Sequence, residues 1–346
     1  MLTKVVPGSV APQGSHVPQP WTKKIRVLAV IPAGRGVAYA TRQVASLVGI
    51  GLEVRTFFLL SRTSLPVLVK EYKRLRCEIR QFRPHLLHAH YGTMTSFLCA
   101  AVFAAAPLVI TFRGSDLNRD PEAGFPRSFL GRLLSQISCL RGKRIICVTR
   151  QLRDRLWWGR SRTVVIPDGI DLRLFRPQPK DQARKLLGWE QGTRVVVFHG
   201  GNRPRLKGLH FVRAAVGFAE KNLGPIELMN LDGSVPPELV PCYLNAADCL
   251  ALASVSEGSP NIVKEALACN LPVVATDVGD VAERLNGIQP STIARRDVSE
   301  FGTALTELLL ENRLSNGREH VENLALVHIA EAIRSVYEAV VQTRAK

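Results

Sequence analysis

The chain has 346 residues, of which 46% are hydrophobic, and its mean hydropathy is +0.06. That length accommodates two α/β domains of roughly 150 residues, each with a hydrophobic core of its own. No apolar run approaches the ~20 residues that a membrane-spanning helix requires, so a globular protein is expected. Residues 1–22 contain scattered Pro and Gly and no apolar segment of the signal-peptide kind, which predicts a disordered leader.

The seven cysteines are an odd number and include no C-x-x-C pair. This usage is typical of reduced thiols in a cytoplasmic protein and argues against a structural zinc site. The sequence therefore predicts neither a metal nor a bound cofactor.

The net charge of +17 is concentrated in the first half of the chain. Residues 1–185 hold 31 Lys and Arg against 10 Asp and Glu, whereas residues 186–346 hold 15 against 19. A positive field on one domain attracts anions, such as a phospholipid surface, a nucleic acid or an acidic substrate; the alternative is a bias towards solubility with no ligand. Few aromatic residues are interleaved with this charge and no nucleic-acid-binding motif is present, so nucleic acid is the least favoured.

Strand and helix patterns alternate through the first half of the chain. The strands are expected at 25–31, 52–60, 85–93, 107–117 and 144–149, and the helices at 37–48, 68–83 and 126–139. A glycine-containing loop, 33–36, follows the first strand. This order predicts a doubly wound parallel sheet of the Rossmann type.

The helix expected over 68–83 is amphipathic. Its apolar residues recur at helical spacing: Leu68, Tyr72, Leu75, Ile79 and Phe82. Its other face is basic: Lys70, Lys73, Arg74, Arg76, Arg80 and Arg83. Such a helix either packs on the sheet with its basic face in water, which is the more common case, or contacts an anionic membrane.

A charged, proline-containing stretch over 178–193 predicts a linker between two domains. After it the alternation resumes, which predicts a second doubly wound sheet and a long last helix at about 327–342. The strands are expected at 194–201, 226–231, 248–254 and 271–276, and the helices at 208–222, 236–247 and 262–269.

The most informative segment is 254–283, whose pattern predicts a turn, a helix, a second turn and a strand. Glu257 and Glu265 stand eight positions apart, and between them lies the turn Gly258-Ser259-Pro260-Asn261. Asn261 is the expected N-cap of the helix, whose positive end and preceding N–H groups would attract hydroxyl or phosphate oxygens. The Glu265 carboxylate can accept two hydrogen bonds from a vicinal diol such as a ribose. The alternative is an ordinary crossover with two solvated glutamates.

This segment resembles the family-4 retaining glycosyltransferases. The shared pattern is Glu, seven residues and Glu, with Gly-x-Pro after the first glutamate and Glu-Ala-x-Ala-x-x-x-Pro-Val-Val-Ala-Thr at the second. The resemblance extends over about 25–340 and implies the GT-B fold, two facing Rossmann-like domains with a cleft between them. It implies that Glu265 binds the ribose of a nucleotide-sugar donor, and that Glu257 lies with the following turn against the donor sugar.

The GT-B resemblance also implies a division of the chain. We expect an acceptor domain at 23–177, a donor domain at 194–331, and a C-terminal helix, about 332–346, that packs back on the first domain.

The segment 199–211 predicts a diphosphate site. A strand ends in glycines and leads into Arg203, Arg205 and Lys207 at the start of a helix, where side chains and helix dipole both favour phosphate. It resembles the family's Gly-x-x-x-Arg-x-Lys-Gly region, which implies that Lys207 and one arginine hold the donor diphosphate. Spacing does not decide between the two arginines, and Arg205 is preferred. Gly36, in the first loop, is a further donor-binding candidate.

Two segments of the first half, around His90 and around Arg113, also resemble the family. The second usually reads Thr-Phe-His-Gly-Ser-Asp, with its histidine near the reacting sugar, but this chain has Arg113 there. An arginine can hold a donor phosphate or an anionic acceptor but cannot shuttle protons near neutral pH. His90 is a better catalytic candidate than His88, although packing is the simpler role for both. Asp168 replaces the family's usual asparagine in a turn, where a structural role is expected.

The resemblance implies sugar transfer with retention from a nucleotide-diphosphate sugar, with the leaving phosphate taking the acceptor's proton. Cations rather than a metal would neutralise the leaving group. The basic first domain predicts an anionic or lipid-linked glycan acceptor in cell-surface polysaccharide or lipopolysaccharide synthesis, and peripheral association with the inner face of the plasma membrane. The alternatives are a nucleotide-sugar epimerase, a catalytically altered GT-B protein and, less favoured, a nucleic-acid-binding protein.

Overall fold

The computed structural model describes residues 24–34, 38–61, 63–102, 106–119, 122 and 124–345. The predicted leader and Gly36 lie outside the described residues. The described chain forms two parallel sheets with helices packed against them, which confirms the expectation of two doubly wound sheets.

The first sheet is built from six strands: β1 (Arg26–Pro32), β2 (Glu53–Leu59), β3 (Leu86–Ala89), β4 (Leu108–Phe112), β5 (Gly142–Cys147) and β6 (Thr163–Val165). Their order in the sheet is β2-β1-β3-β4-β5-β6, and all pairings are parallel. The helices of this part are α1 (Ala38–Gly49), α2 (Leu65–Phe82), α3 (Thr93–Ala101), α4 (Phe125–Cys139) and α5 (Arg150–Asp154).

The second sheet is built from five strands: β7 (Arg194–Phe198), β8 (Ile226–Asn230), β9 (Cys249–Leu252), β10 (Val273–Ala275) and β11 (Thr292–Ile293). Their order is β11-β10-β9-β7-β8, again parallel. The helices of the second half are α6 (Lys180–Leu187), α7 (Pro204–Lys207), α8 (Leu209–Leu223), α9 (Val240–Ala246), α10 (Asn261–Ala268), α11 (Val281–Leu285), α12 (Val298–Glu311), α13 (Gly317–His320) and α14 (Leu326–Ala345).

The strand order reverses once in each sheet. β1 lies between β2 and β3, and β7 lies between β8 and β9. Open parallel sheets bind ligands beyond the carboxyl ends of their strands at such a reversal. The segments that follow β1 and β3, and those that follow β7 and β9, are therefore the places where the fold itself favours a ligand.

The last helix, α14, packs on the first sheet. Its residues Ile329, Ile333 and Tyr337 are buried in one cluster with Val27 of β1 and Val109 of β4. A nearly continuous apolar strand such as β1 needs cover on both faces, and α14 supplies part of it.

The helix α2 confirms the predicted amphipathic pattern. Leu68, Leu75, Ile79 and Phe82 are buried, whereas every basic residue of its other face is exposed. The helix thus packs on the first sheet through its apolar face and carries its positive charge on the surface.

Within the segment 178–193, which is expected to be a linker, residues 180–187 form the helix α6. This helix packs near α9, and its Arg184 is buried, where it pairs with Asp248 at 3.0 Å. Because α6 packs partly through this buried ion pair rather than through apolar contacts, its sequence is rich in charged residues, as that of a linker is. Several other elements also had no counterpart among the expected ones: the helices α3, α5, α7, α11, α12 and α13 and the strands β6 and β11.

Among the residues that the structure describes, no helix is both long and apolar enough to cross a membrane.

Candidate active site

Two predicted site residues, Lys207 and Glu257, form an ion pair at the carboxyl edge of the second sheet. Glu257 follows β9, and Lys207 ends the short helix that follows β7, so both lie where the strand order reverses. The Glu257 carboxylate also accepts a hydrogen bond from Ser254 Oγ at 2.7 Å. Two segments far apart in sequence thereby bring together a cation suited to phosphate and a carboxylate suited to sugar hydroxyls.

Gly208 explains how Lys207 reaches this position. Gly208 has a φ of 87°, and a Cβ at this residue would lie 2.3 Å from the carbonyl oxygen of Ala253 at the end of β9. Only glycine combines that backbone conformation with so close an approach. The helix α7 can therefore end directly against the strand that leads to Glu257.

The two arginines before Lys207 have different environments. Arg203 Nε donates to Glu122 Oε2 of the first domain at 2.8 Å, and Glu122 Oε1 accepts from Leu206 N at 3.0 Å. Arg205 is exposed on α7. The preference for Arg205 as the partner of Lys207 stays a prediction.

The turn after Glu257 lies against the first domain. A Cβ on Gly258 would lie only 2.0 Å from the carbonyl oxygen of Arg113, and one on Gly279 would lie 2.2 Å from the carbonyl oxygen of Gly258. Asn118 Nδ2 donates to the carbonyl oxygen of Glu257 at 2.9 Å. Glycine is therefore required at Gly258 because the loop after β4 packs directly on this turn.

The rest of the turn corrects one expectation. The helix begins at Asn261 itself and Pro260 occupies the N-cap position, so the prediction that Asn261 caps the helix is wrong. Pro260 has no side-chain acceptor, so the first N–H groups of α10 are left without a side-chain cap. Ser259 Oγ donates to Asp280 Oδ2 at 2.8 Å, which ties the turn to the start of α11.

Glu265 lies one helical turn further along α10 and meets an arginine of the opposite domain. Arg42 Nη1 donates to Glu265 Oε1 at 3.3 Å, from the first turns of α1. Burial raises the pKa of the Glu265 carboxyl, and Arg42 acts in the opposite direction. The residue expected to bind a ribose is thus a largely buried carboxylate whose present partner comes from across the cleft.

The histidines at the end of β3 are both fully buried. His88 has Tyr337 Oη at 2.5 Å from Nδ1 and Thr111 Oγ1 at 2.7 Å from Nε2, so its ring is held by protein groups on both sides. Burial and Arg113 lower the pKa of His88 to about 3. Burial, His88 and Arg113 hold the pKa of His90 well below its usual range, so this imidazole is neutral at physiological pH.

Arg113 is engaged by protein groups. Its guanidinium pairs with the Asp168 carboxylate, donates to Gln43 Oε1 at 2.7 Å and lies 4.4 Å from the centre of the Tyr39 ring. Its side chain is 6% exposed, and burial lowers its pKa. Holding a phosphate or an anionic acceptor would require these contacts to break.

Sequence reasoning missed Arg42 and Asn118 and did not anticipate the side-chain role of Asp168. Each of them acts through a contact between segments far apart in the chain, so no local spacing marks them. Arg42 and Asn118 do follow β1 and β4, and the position after a parallel strand is the one signal that could have indicated them.

Two family models match the chain in succession. The model described as Glycosyltransferase Family 4 matches residues 22–174, and the model described as Glycosyl transferases group 1 matches residues 219–311. The chain belongs to this family of glycosyltransferases, as the glutamate motif predicted.

Individual relatives are similar over part of their length. A Bacillus subtilis protein named for teichuronic acid biosynthesis, the glycosyltransferase TuaC, is 30% identical over 66% of this chain and 62% of its own. The D-inositol 3-phosphate glycosyltransferase of Mycolicibacterium smegmatis is 27% identical over 51% of this chain and 48% of its own. The chain thus spans about half to three fifths of the curated relatives it matches.

Solved structures share the whole fold. Sucrose-phosphate synthase from Thermosynechococcus elongatus superposes with a TM-score of 0.79 at 17% identity, covering 92% of this chain and 100% of that one. HepE of Anabaena, solved in complex with UDP and glucose, gives a TM-score of 0.68 at 16% identity and covers 91% and 100%. At such identities the likeness establishes the GT-B fold.

Proposed function

We propose that the protein is a retaining glycosyltransferase that moves a sugar from a nucleotide-diphosphate sugar to an anionic or lipid-linked glycan acceptor. The observation that carries this proposal is the convergence of Glu265, Glu257, Lys207 and the Gly258 turn beyond the carboxyl ends of β7 and β9. A nucleotide-sugar presents a diol, a diphosphate and a hexose, and these four groups have the chemistry to bind each part.

In this proposal each residue has a separate task. Glu265 accepts hydrogen bonds from the ribose hydroxyls, and the Lys207 ammonium neutralises charge that develops on the leaving diphosphate. Glu257 orients Lys207 and, with the Gly258 turn, lies beside the sugar. The leaving phosphate takes the acceptor's proton, so no side chain has to act as a base, and the neutral state of His90 is compatible with that.

The closeness of the two domains supports the water exclusion that sugar transfer needs. Gly258 of the donor side touches the backbone of Arg113, and Asn118 and Arg42 both reach across from the first domain. A site closed in this way limits hydrolysis of the donor by water.

Two observations support an anionic acceptor. The first half of the chain has 31 basic against 10 acidic residues, and the basic face of α2 is exposed. Two relatives are named for acidic products or substrates, teichuronic acid and D-inositol 3-phosphate. These observations support a role in the assembly of a cell-surface polysaccharide or lipopolysaccharide.

Calorimetric titration of UDP, GDP and ADP into the wild type and Glu265→Ala tests the donor site. One nucleotide is expected to bind at micromolar concentration, and loss of a charged hydrogen-bond partner should weaken it by at least about tenfold. Glu307→Ala, which removes an exposed carboxylate on α12, is the matched control and should bind like the wild type. Binding of none of the three nucleotides by the wild type would overturn the proposal.

A further inference from the structure

The chain departs from the family pattern at two positions, and the structure brings these positions together. Arg113 stands where the family usually has histidine, and Asp168 stands where it usually has asparagine. The Arg113 guanidinium pairs with the Asp168 carboxylate. Arg113 and Asp168 are 55 residues apart in sequence but contact each other. The two departures from the family pattern therefore affect the same contact.

The pair is buried, and this makes each residue depend on the other. The Arg113 and Asp168 side chains are 6% and 10% exposed. A buried guanidinium that lacks a counter-charge is strongly destabilising, and so is a buried carboxylate without a cation. Asp168 thus supplies Arg113 with a counter-charge in direct contact, which the usual asparagine would not supply.

The pair contacts the groups that surround the proposed sugar site. Arg113 Nη2 lies 3.4 Å from His90 Nδ1, and the Arg113 carbonyl oxygen abuts Gly258. On the other side, the carbonyl oxygen of Asp168 accepts from Lys264 Nζ at 3.0 Å, and Lys264 immediately precedes Glu265 on α10. A first-domain loop and the donor-binding helix are thereby joined through two residues.

The contact with His90 also fixes which nitrogen carries the proton. A guanidinium can only donate, so the neighbouring Nδ1 is an acceptor and the proton is on Nε2. His90 Nε2 is buried and has no hydrogen-bond partner among the residues that the structure describes. A buried polar group without a partner is uncommon in folded proteins, and a hydroxyl or phosphate oxygen that reached this N–H group would satisfy it.

We propose that Arg113 and Asp168 act together as a positioning pair, which holds the His90 imidazole as an N–H donor and fixes the Gly258 turn relative to α10. This inference rests on the proposed transferase function. It assigns Arg113 no contact with donor or acceptor. The pair replaces the family's histidine and asparagine as a unit.

The test is a double-mutant cycle with Arg113→His, Asp168→Asn and the double variant, which restores the family's two residues. The readout is hydrolysis of the donor whose nucleotide binds in calorimetry, because this reaction needs no acceptor. Each single variant should lower kcat by roughly tenfold or more while KM for the donor changes little, and the double variant should recover most of the loss. Asp248→Asn is the matched control, because it breaks another buried pair, with Arg184, away from the cleft. It should lower thermal stability and leave kcat unchanged.

Additive losses of kcat in the double variant, or a loss of stability without a loss of kcat, would contradict the positioning role of the pair. Neither result would contradict the proposed transferase function. A wild type that binds no nucleotide and hydrolyses no donor would overturn the proposed function, and this inference with it.

Discussion

Both acidic side chains of the candidate site already have a cationic partner. Glu257 pairs with Lys207 of its own domain, whereas Glu265 pairs with Arg42 of the other. These carboxylates are therefore already held in place before a donor arrives, which reduces the entropy that binding has to overcome. For Glu265 there is also a cost, because the ribose has to compete with Arg42 for one carboxylate oxygen.

Replacing Arg42 by alanine is expected to tighten the binding of a nucleoside diphosphate roughly two- to fivefold, the range expected from a partly exposed ion pair. The Arg42 side chain is 32% exposed and occupies Oε1 of Glu265. Calorimetry with the nucleotide that binds the wild type measures the change. The control is Arg55→Ala, which removes another first-domain arginine with a carboxylate partner, Glu78. Weaker binding in Arg42→Ala alone would mean that Arg42 is itself a ligand of the diphosphate.

At the scale of elements, the turn before α10 joins the two domains through glycine. Gly258→Ala should leave nucleotide binding close to that of the wild type and lower donor hydrolysis by roughly 10²-fold, because small misplacements of the reacting groups are costly. The cause is the added Cβ, which would lie 2.0 Å from the carbonyl oxygen of Arg113 and displace the loop after β4. Parallel calorimetry and hydrolysis assays separate the two effects.

Gly217→Ala on α8 is the control for that substitution, because its added Cβ would meet nothing closer than 3.9 Å. Equal losses of binding and hydrolysis in Gly258→Ala would show that the turn holds the donor and does not set the domain contact.

The helix α10 also carries a buried cation, which makes stability depend on pH. Lys264 is fully buried, and burial lowers its pKa to about 8. An unfolded lysine has a pKa of about 10.4, so between these values the unfolded chain binds more protons than the folded one. The free energy of unfolding should therefore gain a contribution that grows from about pH 8 to about pH 10. Buried cysteines with raised pKa values, such as Cys99 and Cys139, lower the free energy of unfolding over the same range in both proteins, so the quantity to measure is the difference between the wild type and Lys264→Met. In urea unfolding this difference should shift in favour of the wild type as pH rises from about 8 to about 10, and a difference that stays constant would contradict it.

At the scale of the whole molecule, the predictable features were the local ones. Buried parallel strands are continuous apolar runs, so they can be found in the sequence. The glutamate motif can also be found there, because Glu257 and Glu265 are separated by only one turn and the start of one helix. Contacts between the domains could not be found in this way. Arg42 and Glu265 are 223 residues apart, and Arg113 meets Asp168 only because the turn after β6 folds back towards the end of β4. The polar helix α6 was missed for a related reason. Arg184 is buried in an ion pair with Asp248, but in the sequence a charged residue suggests an exposed linker.

The asymmetry of charge is a property of the whole molecule and leads to the last prediction. The exposed basic face of α2 belongs to the half of the chain with 31 Lys and Arg against 10 Asp and Glu. Each basic residue near an anionic bilayer contributes about 1 kcal/mol, and screening shortens the range of the attraction to roughly 10 Å at 0.1 M salt. We therefore expect the protein to sediment with vesicles that contain an anionic phospholipid at low salt, and to be released as salt is raised.

Reversal of two charges on this face, Arg76→Glu with Arg80→Glu, should weaken vesicle binding by at least about tenfold. The matched control is Arg295→Glu with Arg313→Glu, which makes the same charge change at exposed residues of the second half. Equal losses in both variants would assign the binding to net charge rather than to α2. If the wild type stays in the supernatant with anionic vesicles at low salt, the basic face of α2 does not bind membranes. Its remaining role would then be to attract an anionic acceptor.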